Sequence, residues 1–219
     1  SGRALNSGVY LDSTGNLGLG DIKSVGEIRA ENVAGNISVV GDVVSPTLIS
    51  LQADGAVRGI GGTWVDGEWV ADAGMLHAPA IAVRADQGVA DREDALYTDT
   101  DEIAIDAGDG NAFVVNDNGG DELVLGTVDG LSGLTAAGDM GLRNNGDLRL
   151  KTQIIDTDVT VDSDTYLIAD GGAIIDDNGD TLNVTGGDLY FHADGRVELD
   201  TLVNRVVDGG TSDGDILLR

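Results

Sequence analysis

The feature that most constrains this chain is a short pattern that recurs along it. A stretch of alternating apolar and polar residues meets a tight turn that ends in Gly, and a second alternating stretch follows. Clear copies occupy residues 48–57, 142–150 and 189–199, with turns at Asp54-Gly55, Asn145-Gly146 and Asp194-Gly195. Alternation interrupted by Asp-Gly or Asn-Gly is the strongest short-range signal of a β-hairpin. The pattern therefore predicts an all-β chain of repeated short β-hairpins.

The composition favours an elongated molecule. Two Trp, four Tyr and two Phe among 219 residues supply little of the buried area that aromatic side chains bring to a compact core. An isolated hairpin is marginally stable in water, so the hairpins must stack on one another or on other subunits. We expect an elongated homo-oligomer, most simply a trimer, that forms either an interdigitated fibre or a β-helix-like stalk.

The charge of the chain is strongly negative. Asp and Glu number 39 against 12 Lys and Arg, which gives a net charge of −27, and Lys23 and Lys151 are the two lysines. Two surface carboxylates ~5 Å apart repel by about 0.8 kcal/mol in water, and the Debye length falls to about 3 Å in 1 M salt. Such a surface resembles that of haloarchaeal proteins; an acidic secreted protein is the alternative. Because phosphate binding needs basic residues, we expect no nucleic-acid partner.

Hydropathy and residue types exclude several other classes. No apolar run approaches the ~20 residues of a membrane-spanning helix, so we expect no membrane insertion. The chain has no Cys, which excludes disulfides and thiolate metal sites. Its two histidines, His77 and His192, lie in different segments, and no nucleophilic-serine context accompanies them. We therefore expect no enzymatic activity.

The chain divides into three regions on composition. Residues 1–62 form an N-terminal hairpin or attachment region, and residues 63–100 hold a Trp-containing hairpin and an Ala-rich insert with one short helix over residues 87–96. Residues 101–219 form a duplicated hairpin region. There, residues 114–119 match residues 174–179, residues 138–152 match residues 187–201, and residues 127–137 are an 11-residue insertion that the second copy lacks.

One segment carries a family resemblance. Residues 10–20, Tyr-Leu-Asp-Ser-Thr-Gly-Asn-Leu-Gly-Leu-Gly, resemble a stretch common in tail-fibre and appendage proteins of tailed viruses. Those proteins carry Ser where this chain has Thr14, and often Thr-Thr where it has Asp21-Ile22. The resemblance implies an obligate homotrimer whose strands pack around a three-fold axis at a virion surface.

Three aromatic residues are candidates for a contact with a receptor or glycan. Trp64 and Trp69 face each other across one hairpin, and Tyr97 lies downstream. If exposed, such side chains stack on sugar rings or anchor a protein contact. The alternative is that they fill a local core in a chain poor in aromatic residues.

Two acidic turns are candidates for binding calcium or another cation; apart from these we expect no cofactor. Each places several oxygen ligands in a tight turn, as hard cations prefer, but neither fits an EF-hand loop, and both are also good turn sequences. The candidate ligands are Asp117, Asn118, Asp121, Asp176, Asp177 and Asp180.

The sequence thus favours a virion structural protein: a small tail fibre, spike or turret of a virus of halophilic archaea, located at the virion surface in high salt. It would mediate or space adhesion to the host envelope. The expected partners are further copies of the chain, other tail, baseplate or capsid proteins, and a host surface glycoprotein or S-layer. The alternatives are a cellular haloarchaeal adhesin or bactofilin-like filament, and a polysaccharide-degrading spike with a carboxylate pair.

Overall fold

The computed structural model describes residues 2–5, 8–59, 62–65, 68–71, 74–158, 163–179, 184–200 and 202–218; of residues 2–5, 62–65, 68–71 and 205 it describes the backbone alone. Regular structure in these ranges consists entirely of β-strands. Among them, no helix is long and apolar enough to span a bilayer.

The strands are short at the N-terminal end and longer after residue 139. In chain order they are β1 (Gly2–Leu5), β2 (Gly8–Ser13), β3 (Leu17–Leu19), β4 (Ile22–Lys23), β5 (Glu27–Asn32), β6 (Ile37–Val39), β7 (Val43–Val44), β8 (Leu48–Ala53), β9 (Val57–Gly59), β10 (Gly62–Val65), β11 (Glu68–Ala71), β12 (Leu76–His77), β13 (Ala80–Ala85), β14 (Leu96–Asp99), β15 (Glu102–Asp106), β16 (Ala112–Asn116), β17 (Leu123–Leu125), β18 (Thr127–Val128), β19 (Leu131–Ser132), β20 (Leu134–Ala136), β21 (Met140–Leu150), β22 (Ile154–Asp156), β23 (Thr165–Asp176), β24 (Val184–Ala193), β25 (Val197–Leu199), β26 (Leu202–Thr211) and β27 (Ile216–Leu218).

Successive turns of the chain stack in parallel as the coils of a β-solenoid. In the first column of strands, β2, β5, β8, β13 and β15 pair side by side and all run in one direction. The second column contains β3, β6 and β9, and the third contains β4, β7, β12 and β14. The predicted all-β, β-helix-like stalk is therefore confirmed, while the trimer stays a prediction.

The register repeats about once every twenty residues. Ile28 pairs with Ile49, Ile49 with Ile81, and Ile81 with Ile103. The step from Ile49 to Ile81 is longer than the others because the antiparallel pair β10–β11 lies within it. Residues far apart in the sequence are thus neighbours along the solenoid.

Most of the predicted hairpins are wrong in their pairing. The turns Asp54-Gly55 and Asp194-Gly195 are corners at which the chain passes from one column to the next, and Asn145-Gly146 lies inside the long strand β21. Antiparallel pairs within the described residues are β1–β2, β10–β11 and β18–β19. Alternation has period two in a strand of either kind of sheet, so it does not determine which strand is the partner.

The short helix expected over residues 87–96 is also wrong. Gln87 and Val89 make isolated β-bridges to other coils. Gly88 and Ala90 have φ of +110° and +59°, which a right-handed helix does not allow. The segment is a corner with few apolar residues, and its Ala content alone suggested the helix.

The core is one continuous apolar cluster inside the coils. In β5 and β8 the inward residues, such as Ile28 and Ile49, are fully buried, whereas the intervening residues are partly or fully exposed. The cluster extends from Leu19 to Leu199. Each fully buried Leu or Ile contributes about 1.5–3 kcal/mol, so a chain with few aromatic residues builds its core from stacked aliphatic ones.

Gly-Asn and Gly-Asp pairs form the corners between columns. The Asp21 carboxylate accepts the backbone N–H of Asp42 in the next coil at 3.2 Å, and the Asn16 carboxamide accepts that of Asn36 at 3.0 Å. The preceding glycine lets the coils approach, because a Cβ on Gly41 would lie 2.6 Å from Asp21 Oδ1 and 2.8 Å from its backbone nitrogen. These pairs therefore set the spacing from coil to coil.

A buried polar ladder crosses the middle of the solenoid. Asn116 donates from Nδ2 to Asn144 Oδ1 at 2.8 Å, and both side chains are buried. Asn144 in turn donates to the carbonyls of Asp121 and Asp147 at 3.0 and 2.7 Å. The ladder therefore gives the buried amide groups of both asparagines hydrogen-bond partners inside the coils.

The 11-residue insertion contains one compact hairpin. Strands β18 and β19 pair through Asp129-Gly130, and Val128 and Leu131 pack on Ala82 and Ala104 on the outer surface of the first column. Strand β20 then continues the column beside β15 and β22.

The two copies of the proposed duplication relate to the coils in different ways. Residues 140 and 189 are in register two coils apart, through Thr165. Val114 instead pairs with Leu142 in the third column, where it also pairs with Leu96 of β14, whereas Ile174 pairs with Leu148 in the first. The three proposed region boundaries stay a prediction.

Candidate functional site

An open groove on the outer surface of strands β14, β16, β21 and β23 is the candidate site. Its volume is about 310 Å³, and it is lined mainly by apolar and aromatic atoms. We call it the aromatic groove and define it by its principal lining residues, Arg92, Tyr97, Phe113, Gly141, Arg143, Tyr166 and Ile168.

The register of four consecutive coils creates the groove. Phe113, Gly141, Tyr166 and Tyr190 are paired in that order across β16, β21, β23 and β24, so the three rings lie in one row across the coils. Gly141 has no side chain, and a Cβ there would collide with the Phe113 ring. The glycine therefore leaves room beside the ring, between two aromatic positions.

A stack of planar groups forms one wall. The Tyr166 and Tyr190 rings are 5.1 Å apart between centroids, with an angle of 13° between their planes. The Arg92 guanidinium lies 4.6 Å from the centroid of Tyr166. Cation–π contacts of this kind contribute about 0.5–1 kcal/mol at exposed sites. The stack holds Tyr166 in place while the edges of the rings remain available to a ligand.

Hydrogen bonds fix the polar ends of these side chains. Tyr166 donates its hydroxyl to Asp164 Oδ2 at 3.2 Å, and Tyr190 donates to Asp188 Oδ2 at 3.4 Å. Burial, with the negative charge of Asp164, raises the pKa of Tyr166, and burial raises the pKa of Tyr97 to about 12. The hydroxyls therefore remain protonated at neutral pH.

The floor of the groove carries a second arginine. Arg143 Nε lies 2.5 Å from Asp170 Oδ2, so its guanidinium is partly neutralised. Aromatic rings, carboxylates and guanidinium groups around a shallow apolar surface bind flat ligands with several hydroxyls, because the rings take apolar faces and the charged groups take hydroxyls.

The structure brings only part of the predicted contact site to this groove. Tyr97 lines it, with 5% of its surface exposed. Trp64 and Trp69 are paired across β10–β11, which confirms that hairpin, but their side chains lie outside the described residues. The predicted grouping of the two tryptophans with Tyr97 therefore lies outside the described residues.

Sequence reasoning missed most of the groove. Arg92, Phe113, Gly141, Tyr166 and Tyr190 come from five successive coils, and each lies 21 to 28 residues after the one before it. Parallel stacking of the coils places the rings of Phe113, Tyr166 and Tyr190 in one row. The antiparallel hairpins predicted from the sequence would have paired each of these residues with a different neighbour. These residues could have been grouped from the sequence only by assuming that the alternating stretches pair as parallel strands.

The predicted calcium ligands form no joint cluster. Asn118 Nδ2 donates to the carbonyls of Thr100 and Glu122, each at 3.2 Å, and Asp177 Oδ2 lies 3.5 Å from Arg149 Nη1. Asp180 lies outside the described residues. Within those residues no three His, Asp or Glu side chains are placed to hold a metal ion. The calcium hypothesis stays a prediction.

Comparison of the chain with protein-family models, with curated proteins and with solved structures finds no match. The function is therefore argued from the geometry and charge of the chain itself.

Proposed function

We propose that this chain is a structural adhesion protein, a small fibre, spike or turret at the surface of a virus of halophilic archaea. The observation that carries the proposal is the aromatic groove on the outside of a regular parallel solenoid. The solenoid supplies a stiff spacer, and the groove supplies a contact surface for the host envelope.

Sugar rings are the ligands that this groove suits best. The pyranose ring has one apolar face that packs against the available edges of aromatic rings and a rim of hydroxyls that bind carboxylates and guanidinium groups. Tyr166 with its bonded Asp164, and Arg143 with its bonded Asp170, place both kinds of group along one surface. A host surface glycoprotein or S-layer is a partner of this chemistry.

The net charge of −27 supports the proposed location. A surface with 39 acidic side chains repels itself in dilute salt and is screened in concentrated salt. The charge also disfavours non-specific contact with acidic envelopes, so adhesion must rely on a specific site.

Binding to haloarchaeal envelope preparations in 3 M KCl tests the proposal. The wild-type chain is expected to sediment with the envelopes, and Tyr166→Ala is expected to weaken that binding at least about fivefold, since truncation of an aromatic anchor costs more than about 1 kcal/mol. Tyr10→Ala is the control, because Tyr10 lies on the first column and bonds to Glu27.

Equal binding of both variants, or no binding by wild type, would contradict the proposal. Light scattering after size exclusion in the same salt gives the oligomeric state, for which we expect a trimer.

A second candidate function is that of a cellular filament, and one observation favours it. Ile216, Leu217 and Leu218 in the last described coil are 41–46% exposed, although Val197 and Leu199 in the preceding coil are buried. Such an apolar end stacks readily on further β-structure. Long filaments by negative-stain microscopy would favour this candidate, whereas discrete particles favour the virion appendage.

A further inference from the structure

An aspartate with an unpartnered oxygen lies inside the C-terminal half of the solenoid. Asp156 ends β22, beside Ala136 of the preceding coil, and Ile155 pairs with Thr185 of the following one. The next residue along β24 is Gly186, which pairs with Asn204 of β26. Asp156, Gly186 and Asn204 thus occupy the same inward position in three successive coils.

The Asp156 carboxylate is buried and only partly satisfied. It is 4% exposed, and its Oδ1 accepts the backbone N–H of Asp158 at 2.9 Å. Among the described residues, Oδ2 has no hydrogen-bond partner, and no Lys or Arg forms an ion pair with this carboxylate. Burial raises the pKa of Asp156. An uncompensated buried charge is strongly unfavourable, so a cation bound beside the Asp156 carboxylate would stabilise the folded chain.

The surroundings of Oδ2 offer room and further oxygen atoms. Gly186 leaves a narrow gap, since a Cβ there would lie 3.2 Å from Asp156 Cβ and 3.6 Å from both Asp156 Oδ2 and the Ser163 carbonyl oxygen. On the far side of Gly186, the Asn204 side chain has no partner for either amide atom. Thr165, two residues after Ser163, is fully buried, and its hydroxyl is also unpartnered within the described residues.

We propose that this gap binds one alkali cation, Na⁺ or K⁺, with Asp156 Oδ2, Asn204 Oδ1 and Thr165 Oγ1 as ligands. Carboxylate, amide and hydroxyl oxygens are the ligands that hard cations prefer. One monovalent ion balances the single carboxylate, whereas a divalent ion would leave a buried net positive charge. Molar salt fills even a weak site, and ligation of the folded state then stabilises it by mass action. The proposal concerns stability and does not depend on the adhesive function.

Thermal unfolding in three chloride salts at equal ionic strength tests the site. The wild type is expected to melt at least about 3 °C higher in 2 M NaCl or KCl than in 2 M tetramethylammonium chloride, whose cation is too large for the gap. Comparison of NaCl with KCl shows which ion binds more tightly. Asp156→Asn keeps the shape but removes the charge, and we expect it to abolish this cation-specific difference.

Two further variants make the result decisive. Thr165→Val removes one ligand oxygen and should reduce the cation-specific difference even if Asp156→Asn folds poorly. Asp54→Asn is the control, because Asp54 is exposed and remote in the sequence, and it should keep the full difference. An equal melting temperature of wild type in all three salts would overturn the proposal. So would a difference that persists in both Asp156→Asn and Thr165→Val.

Discussion

At the scale of single residues, the corner glycines and the buried amides determine how closely the coils stack. Gly41 and Gly20 both precede Asp in corners of the same kind, but only Gly41 has a coil directly beneath it. The Asn116–Asn144 ladder performs the complementary task, because it satisfies carbonyls that stacking removes from water. Sequence alone shows such residues only as turn formers.

Gly41→Ala is expected to destabilise the chain by about 1–3 kcal/mol, because its Cβ would lie against the Asp21 backbone and force the coils apart. Gly20→Ala is the matched control, since a Cβ there has nothing within 4 Å. Urea unfolding followed by circular dichroism measures both. Equal stability of the two variants would show that Gly41 does not set the spacing.

Asn144→Ala is expected to cost about 1–2 kcal/mol, because it removes one of the two acceptors of the buried Asn116 Nδ2, which keeps its bond to Thr100, and the donor to the carbonyls of Asp121 and Asp147. Its neighbour Asn145 is exposed and bonds to Asp117 at 3.2 Å, so Asn145→Ala should cost less than about 0.5 kcal/mol. The same urea titration compares them, and a similar loss from both changes would count against the ladder.

At the scale of elements, the hairpin β18–β19 shows how an insertion is tolerated in a solenoid. The hairpin leaves the first column between β17 and β20 and folds back over its outer surface. Asp129 at its tip bonds to Arg29 through both guanidinium Nη atoms, at 2.5 and 2.9 Å, and accepts the Ser50 hydroxyl at 2.7 Å. Thus the tip is fixed to two coils far away in the sequence.

Asp129→Asn is expected to lower stability by about 0.5–1 kcal/mol at pH 7, a small effect because the pair is partly exposed. Asn also suits the φ of +50° at this position. The Arg29 hydrogen bond lowers the pKa of Asp129 below 3.8, so its contribution is complete above about pH 5 and disappears as the pH falls through that lowered value. Urea titrations of wild type and variant should therefore converge as the pH falls through that lowered pKa; a difference in stability that stays constant with pH would contradict this assignment.

Much at this scale could be predicted from the sequence, and the limits have physical causes. Alternation identified most strands, and the 11-residue insertion predicted at residues 127–137 contains the β18–β19 hairpin. The prediction of which strands pair was wrong, because an alternation of period two is common to parallel and antiparallel strands. For that reason Tyr97 was found alone, while Phe113 and Tyr166 needed the coil register that places them in one groove.

At the scale of the whole molecule, a continuous aliphatic core is surrounded by a strongly acidic surface. The core runs through the coils from Leu19 to Leu199, while the net charge is −27. Apolar burial favours stacking of the coils, and repulsion among carboxylates opposes it. The balance therefore depends on ionic strength.

The melting temperature is expected to rise by on the order of 10 °C between 0.1 M and 3 M KCl, because salt screens the carboxylates. Differential scanning calorimetry measures the shift. A melting temperature that is independent of KCl would mean that the surface charge does not limit stability.

The central claim is that one chain winds into parallel coils, so that residues about twenty positions apart lie side by side. Glu31 and Gln52 are in register on adjacent coils, and both are exposed. Arg84 is in register with Gln52 on the next coil, about 9.6 Å from Glu31 between Cα atoms. Because the chain has no Cys, introduced thiols report on this arrangement alone.

Disulfide formation in two double variants, measured by mass spectrometry after mild oxidation, is the most direct test. Glu31→Cys with Gln52→Cys should form an intramolecular disulfide, and Glu31→Cys with Arg84→Cys should not, since Cα atoms more than 7 Å apart cannot be bridged. Failure of the first pair to oxidise would contradict the solenoid. A disulfide between chains in that pair would instead show an interdigitated fibre.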